Sequence, residues 1–201
     1  MPRKESQAPL RGSDEPTLTF GSEDELADWL ERNHATSPGI WLRIARKDAG
    51  QQSVSYPEAL EAALRYGWID GQKRPLDSGW WLQRFTPRKP RSAWSRVNRD
   101  KAEALIAAGR MQPAGLVQVE RARADGRWQA AYESQSRAEV PPDLQAALAA
   151  SPAAAASFAT LNAVNRYAIL YRLQSAKKAE TRARRLRSFI EMLERGGKIH
   201  P

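Results

Sequence analysis

The chain has 201 residues, 41% of them hydrophobic, with a formal net charge of +9 and seven Trp, five Tyr and four Phe. That apolar and aromatic content excludes a wholly disordered polymer and is enough to build the core of one medium domain or two small ones. Cysteine is absent, which excludes disulfides, thiolate nucleophiles and cysteine-ligated zinc, and the two histidines, His34 and His200, do not restore a metal site; no metal and no cofactor are expected.

Residues 1–16, MPRKESQAPLRGSDEP, have almost no apolar content and read as a disordered tail. They lack the apolar core of about 7–15 residues that a secretory signal needs, and no apolar run reaches the roughly 18 residues of a membrane span. The expected location is the cytoplasm.

From residue 17 the pattern predicts a mixed α+β domain to residue 133. Leu18 to Phe20 form a short strand, and Ser22 with Glu25 three residues on starts a helix that ends near Asn33, with Trp29 and Leu30 on its buried face. After the turn at 37–39, Ile40 to Arg46 alternate, with Ile40, Leu42 and Ile44 on one face and Trp41, Arg43 and Ala45 on the other, the mark of a half-buried strand. Ser55 and Glu58 make a second capping box, Pro57 sits in the first turn, Leu60, Ala63 and Leu64 supply the apolar stripe, and Gly67 stops the helix.

WIDGQKRPLDSGWWLQRFTPR reads as a β-rich but irregular platform. Asp70-Gly71 and Asp77-Ser78-Gly79 are turn chemistry, and Trp80 to Phe85 have strand composition. Ser95 caps a helix over Arg96–Ala108 closed by Gly109, and another runs from Pro113 to about Asp125. Residues 134–142, SQSRAEVPP, are a linker. A helical module follows over 143–201, with helices at Asp143–Ala150, Pro152–Leu161 and Asn165–Gln174. A last helix presents Ala179, Ala183, Leu186, Ile190 and Leu193 as one seam.

The positive charge is concentrated. Residues 71–100 carry eight Lys or Arg against Asp77 and Asp100, and residues 163–201 carry ten against three Glu, so an anionic partner is expected. Lys73, Arg74, Arg84, Arg88, Lys89 and Arg91, with Ser92, Ser95 and the free N–H groups of the helix beginning near Arg96, are the ingredients of an anion site. The competing reading is a solvated loop in which the prolines fix extended backbone and Ser95 is only a cap; no phosphate-loop motif is present.

Asp70 lies among tryptophans and is a weak candidate for acid or base work, against its commoner role as a turn former. Trp68, Trp80, Trp81 and Trp94 are either core or a stacking platform. Lys178, Arg182 and Arg185, expected opposite much of the apolar seam, can follow a phosphate backbone, against a plain solvated face.

YGWIDGQKRPLD, RFTPRKPRSAWSRVN, AAGRMQPAGL, DGRWQAAY and AKKAETRARRLRSFIEMLERG resemble the YdeI/OmpD-associated family, also called the bacteriocin-protection or OmdA family, from about Leu18 to Ile199. The segment from about Pro141 resembles the helical module that defines that family. The resemblance implies a link to an outer-membrane porin and to resistance to cationic antimicrobial peptides, and brings no catalytic residue. It also implies a periplasmic setting, whereas residues 1–16 carry no signal sequence. Direct capture of cationic peptides by a +9 chain is opposed by like-charge repulsion. The expected function is therefore non-enzymatic protection against stress or antimicrobial peptides, through binding of an anionic small molecule or macromolecule. Nucleic-acid binding is the alternative, and an enzyme with an anionic substrate centred on Asp70 the third reading.

Overall fold

The computed structural model describes residues 15–133, 138–176 and 178–201. The predicted tail falls outside these residues except for Glu15 and Pro16, as do residues 134–137 of the predicted linker. Among the described residues there are four strands and eight helices, an α+β protein with its sheet in the front half. The chain divides into two compact units. One takes the described residues up to Trp94 together with Asn98–Ala130, the other Ser95–Val97 with Ala131–Pro201.

In the first unit β1 (Thr17–Leu18) pairs in parallel with β2 (Ile40–Ala45), and α1 (Glu23–Asn33) makes the crossover. The expected caps form: the Gly21 amide donates to the Glu25 carboxylate at 2.7 Å and the Glu25 amide to Ser22 Oγ at 3.3 Å. The Ser55 amide donates to Glu58 Oε2 at 2.8 Å, which opens α2 (Tyr56–Arg65) and holds the Glu58 carboxyl below its ordinary pKa.

The β-rich platform is an antiparallel hairpin, β3 (Trp68–Pro75) and β4 (Trp80–Pro87), with one irregularity in its pairing. The sheet order is β1-β2-β4-β3. Asp70-Gly71 is not a turn: Asp70 stands within β3, where the pairing register shifts between Asp70 and Lys73. Gln83, 3% exposed on β4, makes this shift tolerable, because its side-chain amide donates to the carbonyls of Gly71 and Gln72 at 3.0 and 3.2 Å.

The pleat places Ile40, Leu42, Ile44, Trp68, Asp70, Lys73, Pro75, Trp81, Gln83 and Phe85 on one face. α1 and α2 cover part of it: Trp29 meets Trp68 edge-on at 5.9 Å, and the Tyr56 ring lies 6.0 Å from that of Trp81. The other face carries Trp41, Arg43, Arg74, Trp80, Leu82 and Arg84. Trp41 is 1% exposed there, so β2 is buried more fully than its alternation predicts. The Arg74 guanidinium lies 4.4 Å above its ring, and the long arginine stem covers apolar surface there. α3 (Arg96–Ala107) and α4 (Pro113–Ala124) follow, each ended by a glycine in the left-handed region, Gly109 at φ +66° and Gly126 at +76°.

The second unit holds α5 (Pro142–Ala149), α6 (Pro152–Thr160), α7 (Ala163–Gln174) and α8 (Ala179–Glu194) around Leu144, Leu148, Phe158, Ile169, Leu173, Phe189 and Leu193. The predicted seam of α8 holds only in its later turns, where Leu186, Ile190 and Leu193 pack on the core beside Phe189. Ala179 and Ala183 are exposed, and the side that faces α7 in the first turns is lined by arginine.

Candidate functional site

β2 and β4 run antiparallel with Ala45 opposite Trp80, so the end of β2 meets the tip of the β3–β4 hairpin. Asp77 builds that tip as the sequence predicts, its Oδ1 accepting from the Gly79 and Trp80 amides at 2.8 and 2.9 Å. The Arg46 amide then donates to the Gly79 carbonyl at 2.8 Å, and Arg46 Nε to the Asp77 carbonyl at 3.3 Å. Two turns are thereby locked side by side.

Beside them lies an open depression of about 390 Å³ lined by Ala45, Arg46, Lys47, Lys73, Pro75 and Trp81. Its three cations are exposed, and among the described residues none of them pairs with a carboxylate. Lys73 Nζ rests 4.5 Å from the centroid of the Trp81 indole. The Tyr56 hydroxyl donates to Asp70 Oδ2 at 2.9 Å, and Asn98 Nδ2 approaches Asp70 Oδ1 at 3.5 Å. Three positive charges gathered at one concavity repel each other and are relieved by an anion, while the indole and the Pro75 ring offer apolar surface beside them.

The other residues expected at an anion site are dispersed. Arg74 covers Trp41, and Arg84 is held by Glu15 in a two-pronged pair, one contact being 2.7 Å from Nε to Oε2. Arg88 is buried rather than looped into solvent: it is 6% exposed, its guanidinium lies 3.5 Å over the Trp94 ring, and its Nη1 donates to the Ala93 carbonyl at 3.2 Å. Lys89 and Arg91 are exposed on the turn that follows. Ser92 shapes that turn, its Oγ accepting from the Lys89 amide at 3.0 Å, and its carbonyl takes Arg127 Nη1 at 2.7 Å. Ser95 falls in the second unit, bridged to Tyr132.

The tryptophans divide in the same way. Trp68 and Trp94 are core, with the Trp68 indole N–H given to the His34 carbonyl at 3.1 Å. Trp80 and Trp81 are half-buried neighbours on opposite faces of β4, each under a cation, Arg43 at 4.6 Å and Lys73 at 4.5 Å.

In the second unit Lys178 is the exposed residue before α8. Arg182 and Arg185 do not stand clear of the packed side as expected. Arg182 makes two bonds to the Asp143 carboxylate at 2.7 and 2.8 Å and one to the Leu173 carbonyl at 2.8 Å, and Arg185 Nη1 donates to the Arg172 carbonyl at 2.5 Å. The last carbonyls of a helix lack internal partners and carry the negative end of its dipole, which is the demand these arginines meet on α7. Arg182 in turn holds the Asp143 carboxyl below its ordinary pKa.

Sequence reasoning missed Arg46, Lys47, Arg43, Tyr56 and Asn98. The signal for the first two was the pair of turns that follow β2 and precede β4, but only the antiparallel pairing brings those turns to the same end. No curated protein and no solved structure matches the chain. No helix among the described residues is long and apolar enough to cross a membrane. Two family models match, one on each side of residue 130. Since residues 18–118 make up half of the sequence, the chain belongs to the family described as a domain of unknown function (DUF8412), and at residues 137–196 it carries a bacteriocin-protection, YdeI or OmpD-associated (OmdA) domain.

Proposed function

We propose that the first unit binds an anionic ligand at the depression between the end of β2 and the hairpin tip, and that this binding is how the chain serves protection. The OmdA domain suggests a bacteriocin-protection-related role. The observation that carries the ligand reading is the set of Arg46, Lys47 and Lys73 around one concavity, without a carboxylate partner among the described residues. A net charge of +9 favours an anionic partner over a cationic peptide.

A thermal-shift titration with inorganic phosphate, tripolyphosphate, nucleotides and short DNA and RNA tests it, since a ligand of the native state raises the melting temperature by mass action. Wild type is expected to be stabilised by at least one anion, and Arg46→Glu with Lys73→Glu to lose the effect, each protein being read against its own melting temperature without ligand. Equal stabilisation of the double variant contradicts the proposed site.

The Arg43–Trp80 pair, one residue along on the opposite face of β4, supports a second reading in which a single-stranded nucleic acid wraps the hairpin tip. That reading requires an affinity that falls steeply with salt and is lost in Trp80→Ala.

A further inference from the structure

Resting on the ligand reading above, we infer that the depression takes a nucleotide carrying at least two phosphates, its base on Trp81 and its phosphates between Arg46, Lys47 and Lys73. A bare anion needs only the cations, and it leaves unexplained the half-buried indole set in the lining with Pro75 directly opposite it across the strands. Both rings offer apolar surface to the depression. Lys73 Nζ sits 4.5 Å from the indole centroid, on a seat that a planar base also fills.

Lys73 is exposed, so its ammonium leaves that seat at little cost and swings toward a phosphate. The cation–π contact is thereby exchanged for a charge-assisted hydrogen bond. The Tyr56 ring lies 6.0 Å from the indole, its hydroxyl tied to Asp70, which fixes a neighbour of Trp81. The cations come from two places, Arg46 and Lys47 from the turn after β2 and Lys73 from β3, on either side of the β4 strand that carries Trp81, and so suit a chain of phosphates better than a single one.

Isothermal titration of the full chain with ATP, inorganic tripolyphosphate, adenosine and a short single-stranded oligonucleotide tests the inference. ATP is expected to bind about tenfold more tightly than tripolyphosphate, because stacking adds to charge pairing. Trp81→Leu is expected to erase that advantage while keeping tripolyphosphate affinity, and Trp81→Phe to keep most of it. Equal affinities for ATP and tripolyphosphate in wild type overturn the nucleotide and leave the anion site standing. Silence from both ligands overturns the anion site too. Oligonucleotide binding tighter than ATP at equal phosphate concentration overturns it in favour of a polymer. If Trp81→Leu fails to fold, the wild-type comparison and Trp81→Phe still decide.

Discussion

Lys73 and Arg74 are neighbours in sequence and serve opposite faces of one sheet, Lys73 beside Trp81 at the depression and Arg74 over Trp41. A count of charges treats them alike; the pleat separates them. The same division runs through the whole basic stretch. Arg88 is packed on Trp94, Arg84 is neutralised by Glu15, and only Lys89 and Arg91 remain as the solvated loop that composition alone predicts. Arg182 illustrates a charge with a structural duty, and its partner Asp143 gives a pH test. Pairing lowers the Asp143 pKa in the folded state, so the stability it contributes is present above the unfolded-state value and is lost as pH falls through the folded one. Asp143→Asn is expected to lower stability at pH 7 by about 1 kcal/mol or less, given a part-exposed pair. The difference from wild type is expected to shrink between about pH 5 and pH 2. Denaturant midpoints measured across that range check it; a constant difference contradicts the ion pair as the cause.

At the scale of elements, helix positions were legible because capping boxes, turn glycines and apolar stripes are local signals, and Ser22, Ser55, Gly109 and Gly126 act as their residue types predict. The hairpin was obscured because Asp70-Gly71 imitates a turn. Its strand character depends on the Gln83 side chain twelve residues away, which no local window contains. Close helix packing is equally hidden. Gly115 on α4 has no room for a side chain, since a Cβ there comes within 2.4 Å of the Arg65 carbonyl and 2.8 Å of the Leu64 carbonyl at the end of α2. Gly115→Ala is expected to cost about 1–3 kcal/mol by overpacking, read as a lower urea midpoint with an unchanged slope. An unchanged midpoint means that α4 moves away from α2 without penalty.

Over the whole molecule, the sequence locates two basic regions but not their different uses. Residues 71–100 contribute Lys73 to the depression, while Arg182 and Arg185 of the second region hold the end of α7. The depression itself was illegible because Arg46, Lys47, Lys73 and Trp81 are gathered only by strand pairing. The resemblance carried by the closing helix motif is met by the OmdA domain at 137–196, and residues 18–118, which hold the candidate site, match a second family. The OmdA match and the proposed ligand site thus lie on different parts of the chain, and a ligand at the first unit is the testable bridge to function. The most direct measurement is the heat of binding of inorganic tripolyphosphate to wild type and to Lys73→Glu at low salt. The account predicts saturable one-to-one binding to wild type, weakened at least about tenfold by the reversal, or about 1.4 kcal/mol. Equal binding to both proteins, or none to wild type, contradicts it.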